Sequence, residues 1–159
     1  MQNNKTPQYA VSHYMHTKVI TASSDITLKE AVEIMLKSET NGLVVVDKEQ
    51  RVVGILSSWD IIQYIVPDYL EEDRHLASFE AGDIFFSRIQ DTKDHPIEKF
   101  MTHHVHVVHP DSSLIEAAAL LSEHRIRQLP VVDEHGVLVG YLSRTNIKKA
   151  IGDGLGLKP

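Results

Sequence analysis

Two short stretches of the 159-residue chain carry side chains able to grip a polar ligand: Ser57 with Asp60, and Ser143 with Asn146. In each, a hydroxyl stands three residues before a carboxyl or carboxamide group, and a helix is expected to begin just after it, near Ser58 or Arg144. Two roles compete for such a pair. The hydroxyl can cap the helix by accepting first-turn amides, with the Asp60 carboxylate at the positive end of the dipole. The same free N–H groups also make an anion site, and a carboxylate one turn in can accept two hydrogen bonds from a ribose diol. The roles are compatible, and the spacing does not choose between them.

Histidine offers a second chemistry. The chain has 10 histidines, and His103, His104, His106 and His109 lie close together. In a strand His104 and His106 share one face, and such a pair binds zinc when a third ligand arrives from elsewhere. No partner motif accompanies them, so they read as polar edge-strand residues and no metal is expected. The chain has no cysteine, which excludes disulfides, thiolate catalysis and cysteine-based zinc sites. No G-x-S-x-G or H-E-x-x-H occurs, and nothing converges the acidic and histidine residues on a reacting centre; no enzyme is expected. A net charge of −6 with scattered Lys and Arg argues against nucleic acid as a partner. No apolar run approaches the ~18 residues of a membrane span, and the polar start MQNNKTPQYA lacks a signal-type apolar region. The expectation is a cytoplasmic protein that makes no contact with membrane.

The elements that must position these residues are written twice. Met15 to Ile61 aligns without a gap on Met101 to Ile147 at an offset of 86, with about a third of the paired residues identical. Each copy has the same order. A β-rich stretch, Val19–Thr21 or Val105–Val108, precedes a helix whose apolar residues recur at i, i+3, i+4 and i+7: Leu28, Ala31, Val32 and Met35, or Leu114, Ala117, Ala118 and Leu121. Both helices open with a capping-box pattern, Thr27-x-x-Glu30 and Ser113-x-x-Glu116. Two strands follow around a polar turn, 43–46 with 52–56 and 129–132 with 137–142, and then the second helix. The unit is β-α-β-β-α. One such unit buries little surface alone, so the copies are expected to pack sheet to sheet and share a core.

This grammar resembles the CBS domain family (cystathionine β-synthase type) as a tandem pair, of the stand-alone bacterial type. The carrying residues are Leu129-Pro130-Val131-Val132-Asp133, His135-Gly136 and Gly140-Tyr141-Leu142-Ser143-Arg144-Thr145-Asn146, with Leu43-Val44-Val45-Val46-Asp47 and Gly54-Ile55-Leu56-Ser57-Ser58-Trp59-Asp60 in the first copy. The resemblance implies an α/β fold: two CBS repeats packed as one pseudo-two-fold module, often paired head-to-head or head-to-tail as a homodimer. It implies a regulatory role, sensing energy or metabolite status through an adenosine-containing ligand (AMP, ADP, ATP or S-adenosylmethionine) held in clefts between the repeats, with no required cofactor and an unidentified client protein. Carried over by position, one site would use Ser23, Thr40, Asn41, Ser57 and Asp60; the other would use His109, Ile126, Arg127, Ser143, Arg144 and Asn146. Backbone at Thr40/Asn41 and Ile126/Arg127 would read the adenine edge. Asp60 favours ribose at the first site, and Arg127 and Arg144 favour phosphate at the second. A histidine at position 109 would make phosphate binding respond to pH near its ordinary pKa of about 6.5. The chain departs from the family at Asn146, where Asp is usual, and at Val44, where Pro is usual. A ligand-free scaffold module is the alternative.

The boundaries expected are a tail at 1–10, repeat one at 11–66, a partly helical connection at 67–96, repeat two at 97–151 and a flexible tail at 152–159. In the connection, Glu71-Glu72-Asp73 reads as a solvated run. The spacing of Ile84/Phe85, Arg88 and Ile89 suits a short amphipathic helix that either packs on the module or, with Phe79 and Phe86 nearby, offers an aromatic face to a partner.

Overall fold

The computed structural model describes residues 9–72, 75 and 83–157. Strand β1 (Thr21–Ala22), helix α1 (Leu28–Lys37), strands β2 (Gly42–Val46) and β3 (Val52–Ser57) and helix α2 (Ser58–Ile65) form the first copy. Helices α3 (Asp68–Glu72) and α4 (Asp83–Thr92) follow it. The second copy has helix α5 (Leu114–Glu123), strands β4 (Gln128–Val132) and β5 (Leu138–Ser143) and helix α6 (Arg144–Gly154). Short 3₁₀ turns at Val11–His13 and Ile97–Lys99 precede the two copies. The architecture is mixed α/β, with a three-stranded sheet in the order β1-β2-β3 and a two-stranded β4-β5 ladder. Among the described residues no helix is long and apolar enough to cross a membrane. Phe79 and Asp73 lie outside the described residues.

The chain divides into two compact units that do not follow the order of the copies. Of the described residues, those in 20–47 and 53–104 form one unit, and those in 9–19, 48–52 and 105–157 form the other. Each has its own apolar cluster. Leu28, Ala31 and Met35 of α1 pack with Leu43, Val45 and Leu56 of the sheet and Ile61 and Ile65 of α2. Leu114, Ala117 and Leu121 of α5 pack with Val108, Leu129, Val131 and Leu142. Both clusters draw on an exchange of leading segments. Ile97 and Met101, which lead into copy two, complete the cluster of copy one. Val11, which leads into copy one, completes the cluster of copy two, with Met15 packed against it.

Backbone hydrogen bonds pin both exchanged segments at equivalent places. Ile55 and Thr102 exchange N–H···O bonds of 3.0 and 2.8 Å, and Tyr141 and His16 do the same at 2.9 Å each. Leu28 N–H donates to His95 O and Leu114 N–H to Tyr9 O, both at 2.9 Å. Here the recurrent glycines find their use. A Cβ on Gly140 would lie 2.6 Å from His16 O, and one on Gly54 would lie 2.7 Å from Met101 Sδ. At Gly140 the backbone of the segment crosses too close to the strand for any side chain, whereas at Gly54 the nearest atoms are the flexible end of Met101.

The copies differ where their sequences do. In the first, β1 runs parallel to β2 with Thr21 opposite Val44 and Ala22 opposite Val45, and Val44 N–H donates to Ile20 O at 3.2 Å. In the second, the strand expected over Val105–Val108 shrinks to one bridge, Val108 with Val131. Pro130 stands where Val44 stands and has no N–H to extend the ladder. Thr27 and Glu30 close a full capping box on α1, whereas Ser113 makes the forward half on α5, accepting from Glu116 N–H at 3.3 Å. The turn after β2 places Gln50 at φ 62° where the equivalent turn uses Gly136 at φ 77°. Helix α6 continues past residue 151 through Gly154, and Gly156 at φ 70° closes it with a bond from its N–H to Asp153 O.

Helix α4 forms where the amphipathic spacing placed it. Ile89 packs on the first cluster, and Arg88 donates from Nε to Ile65 O (3.1 Å) and from its guanidinium to Tyr64 O (3.2 Å). These bonds take up carbonyls at the end of α2 that no helical amide can reach. Phe85 and Phe86 remain exposed, edge to face with each other.

Candidate ligand-binding sites

At the start of α2, Ser57 is extended (φ −111°, ψ 162°) and caps the helix, accepting from Asp60 N–H at 3.3 Å. Asp60 Oδ2 in turn accepts from Ser57 N–H at 2.7 Å and from Ser57 Oγ at 2.6 Å. The pair therefore closes on itself as a capping box. The second carboxylate oxygen, Oδ1, accepts from Thr102 Oγ1 at 3.1 Å. Thr102 belongs to the exchanged segment, and nothing in the repeat alignment marked it as a partner of Asp60.

The loop before β2 is tied to the same helix end. Ser58 N–H donates to Asn41 O at 3.0 Å and Ser58 Oγ reaches the same oxygen at 3.3 Å. Thr40 Oγ1 donates to Gly42 O at 3.0 Å, fixing the entry to the strand. Thr40, Asn41, Ser57 and Asp60 thus gather at one end of the sheet. Ser23 does not join them. The parallel register puts it past Ala22, level with Val46, about 16 Å along β2 from Asn41 at ~3.3 Å per residue. Its hydroxyl bonds the Asp25 carboxylate.

The other unit repeats the arrangement. Ser143 caps α6; Asn146 Oδ1 accepts from Ser143 N–H and Oγ, both at 2.7 Å, and Arg144 N–H donates to Arg127 O at 3.1 Å. Asn146 is buried, so the carboxamide meets the acceptor demand of the cap without an interior charge. Ile126 is half-buried, while Arg127 and Arg144 are exposed. His109 sits apart, as Ser23 does: its Nδ1 lies 2.9 Å from Val132 O, at the far end of β4 from Arg127. The other clustered histidines separate as well. His103 Nε2 meets Glu98 O at 2.9 Å, and His106 stacks on His124 with centroids 3.7 Å apart. They do not lie in a strand, so no shared strand face presents them, and among the described residues no three His, Asp or Glu side chains group as metal ligands.

A cleft of about 550 Å³ opens between α5 and α6. Leu121, Ile126, Ile147 and Ile151 give it an apolar floor, and Arg125, Arg144 and Lys148 stand around it. Of these, Ile126 and Arg144 were singled out by motif position; Arg125 and Lys148 carry no motif signal.

The CBS domain family model matches residues 11–67 and 97–153. The L-aspartate semialdehyde sulfurtransferase of Methanocaldococcus jannaschii is 29% identical over 148 residues, 93% of this chain but 24% of that protein, so this chain spans about a quarter of such a relative. Among solved structures, the CBS domain pair of protein MJ0100, in complex with 5′-methylthioadenosine and S-adenosyl-L-methionine, superposes with TM-score 0.70 at 27% identity, covering 93% of this chain and 99% of that one. CBSX2 of Arabidopsis thaliana in complex with AMP gives TM-score 0.71 at 27% identity, covering 92% and 98%. With two family matches that together take in most of its length, the chain belongs to the CBS domain family as a tandem pair.

Proposed function

We propose that this chain is a regulatory module of the cytoplasm that binds an adenosine-containing ligand (AMP, ADP, ATP or S-adenosylmethionine) and signals ligand level to a client protein, without catalysis. The observation that carries the reading is the twofold helix-end arrangement: Ser57 and Asp60 against Asn41, and Ser143 and Asn146 against Arg127. Each places a helix N-terminus, a capping hydroxyl and an exposed backbone loop together, as a nucleoside with an anionic tail requires. The adenosine ligands held by the two solved relatives support the choice of ligand class. At the first group Asp60 Oδ1 can still accept a ribose hydroxyl, since a carboxylate oxygen has two acceptor positions and Thr102 fills one. At the second, Arg127 and Arg144 supply charge for phosphate. Ser23 and His109 take no part in these groups.

The scaffold reading draws on one specific observation: both oxygens of Asp60 already have donors, Ser57 and Thr102. The deciding experiment is thermal unfolding with AMP, ADP, ATP and S-adenosylmethionine, followed by calorimetry on the Asp60→Ala variant. A ligand at 100 times its Kd adds about 2.7 kcal/mol of stability. A shift that the variant weakens upholds binding at the first group; no shift with any ligand at millimolar concentration upholds the scaffold.

A further inference from the structure

Small residues keep the cleft between α5 and α6 open. Ala118 and Ser122 stand one turn apart on the same side of α5 and leave space beside Leu121. At the offset of 86 the first copy has Val32 and Leu36 in their places, so its wall is bulkier at both positions. A cleft of about 550 Å³ with an apolar lining and a few convergent polar groups has the form of a small-molecule site.

The charges around it are all of one sign. Arg125, Arg144 and Lys148 stand where the first copy has Glu39, Ser58 and Ile62. They gather in a chain of net charge −6, and among the described residues none of the three enters an ion pair. They also lie toward one end of the cleft. The bond from Arg144 N–H to Arg127 O, 3.1 Å, brings the loop after α5 to the start of α6, so Arg125 and Arg144 flank that end and Lys148 follows one turn along. Beyond them the lining is apolar, through Ile147 to Ile151, which is 57% exposed. From Arg144 to Ile151 the helix runs about 10 Å, at ~1.5 Å per residue.

We propose that this cleft binds an amphipathic carboxylate, a medium-chain acyl anion of about octanoate length. The carboxylate lies among Arg125, Arg144 and Lys148, where a guanidinium can bond both of its oxygens, and the chain runs over Leu121 and Ile147 toward Ile151. An inorganic anion would leave the apolar end uncovered, and a neutral chain would leave the cations without a counter-charge. Arg144 also borders the second helix-end group. Ser122 and Lys148 belong to the cleft alone, so variants at these two positions separate this site from the adenosine reading.

Calorimetric titration of the wild type, Lys148→Gln and Ser122→Leu with octanoate, octanamide and acetate tests it. Both positions are exposed, and leucine is what the first copy carries at the second of them, so the fold is retained; circular dichroism checks that it is. The expected result is saturable binding of octanoate to the wild type, with octanamide and acetate weaker by about tenfold or more. Lys148→Gln should raise the octanoate Kd about five- to twenty-fold, and Ser122→Leu, which fills the hollow, should abolish binding. No saturable binding of octanoate to the wild type overturns the inference. So does octanamide binding as tightly as octanoate, and so do variants that bind octanoate like the wild type. A wild type that ignores octanoate while Ser122→Leu changes its sedimentation equilibrium gives the cleft to a second copy of the chain, and overturns the inference equally.

Discussion

Gly140→Ala is the substitution whose cost can be worked from the structure. The added Cβ would stand 2.6 Å from His16 O and 3.1 Å from Met15 Sδ. The carbonyl cannot turn aside, because Tyr141 N–H holds it at 2.9 Å and His16 N–H is bound in return to Tyr141 O. The segment must therefore lift, losing two backbone hydrogen bonds at about 1 kcal/mol each. It also loosens the packing of Val11, which is fully buried in that cluster, at a further ~1–2 kcal/mol. Restricting the unfolded chain returns about 0.5–1 kcal/mol. The net loss is about 2–3.5 kcal/mol. Gly54→Ala is the internal control: there the nearest atom is the thioether of Met101, which can swing away, so about 1 kcal/mol is expected. Urea unfolding followed by circular dichroism measures both, and hydrogen exchange of residues 10–16 locates the damage. A Gly140→Ala protein as stable as the wild type, with that segment still protected, would refute the argument. So would a larger loss from Gly54→Ala.

Other outcomes follow from the same geometry. Asp60→Ala should raise the Kd for the bound adenosine compound by about ten- to hundred-fold, the equivalent of ~1–3 kcal/mol for hydrogen bonds to a charged acceptor, as read by calorimetry. Asn146→Asp keeps both acceptor bonds from Ser143 but places a charge in a buried site, so it should lower stability by about 1–3 kcal/mol in thermal or urea unfolding. Donation from the Thr27 backbone N–H, and then from its hydroxyl, holds the Glu30 carboxyl below the usual range. Because the folded value lies below the unfolded one, this contribution is present above the unfolded pKa and is lost as pH falls through the folded value. Thr27→Val should raise the Glu30 titration midpoint seen by NMR and flatten the acid limb of stability; an unmoved midpoint refutes the assignment. Arg88→Met should leave the ends of α2 and α4 less protected, with faster exchange over residues 62–66 and 83–92 as the readout.

What could be read in the sequence was local. The spacing of Leu28, Ala31, Val32 and Met35 fixed α1, and Thr27 and Glu30 marked its start, because each signal concerns atoms within one or two turns. Pattern failed where partners are remote. Nothing near Val105 says that Pro130 will deny that segment a ladder bond. Continued four residues before Met15, the offset of 86 sets Ile97 against Val11 but does not say which copy each one packs against. The Ser57/Asp60 pair was legible as a helix start, while the third partner, Thr102, lies 42 residues away and donates through an ordinary hydroxyl. The grouping of Ser23 and His109 with the helix-end residues followed the family pattern; the parallel register beside Val44 and Val131 separates them.

The exchange of leading segments sets an order of events during synthesis. Residues 20–65 leave the ribosome with most of their apolar cluster assembled but without Ile97 and Met101, so that half has to wait some thirty-five residues for its closing piece. The segment from Tyr9 to His16 waits longer still: its backbone partners are Pro110, Ser112, Leu114 and Tyr141. A fragment cut at the copy boundary would carry a segment built for the other half and lack its own. Neither half can be finished from one copy's worth of chain, and β5, made more than a hundred residues later, is the strand that fastens His16 down.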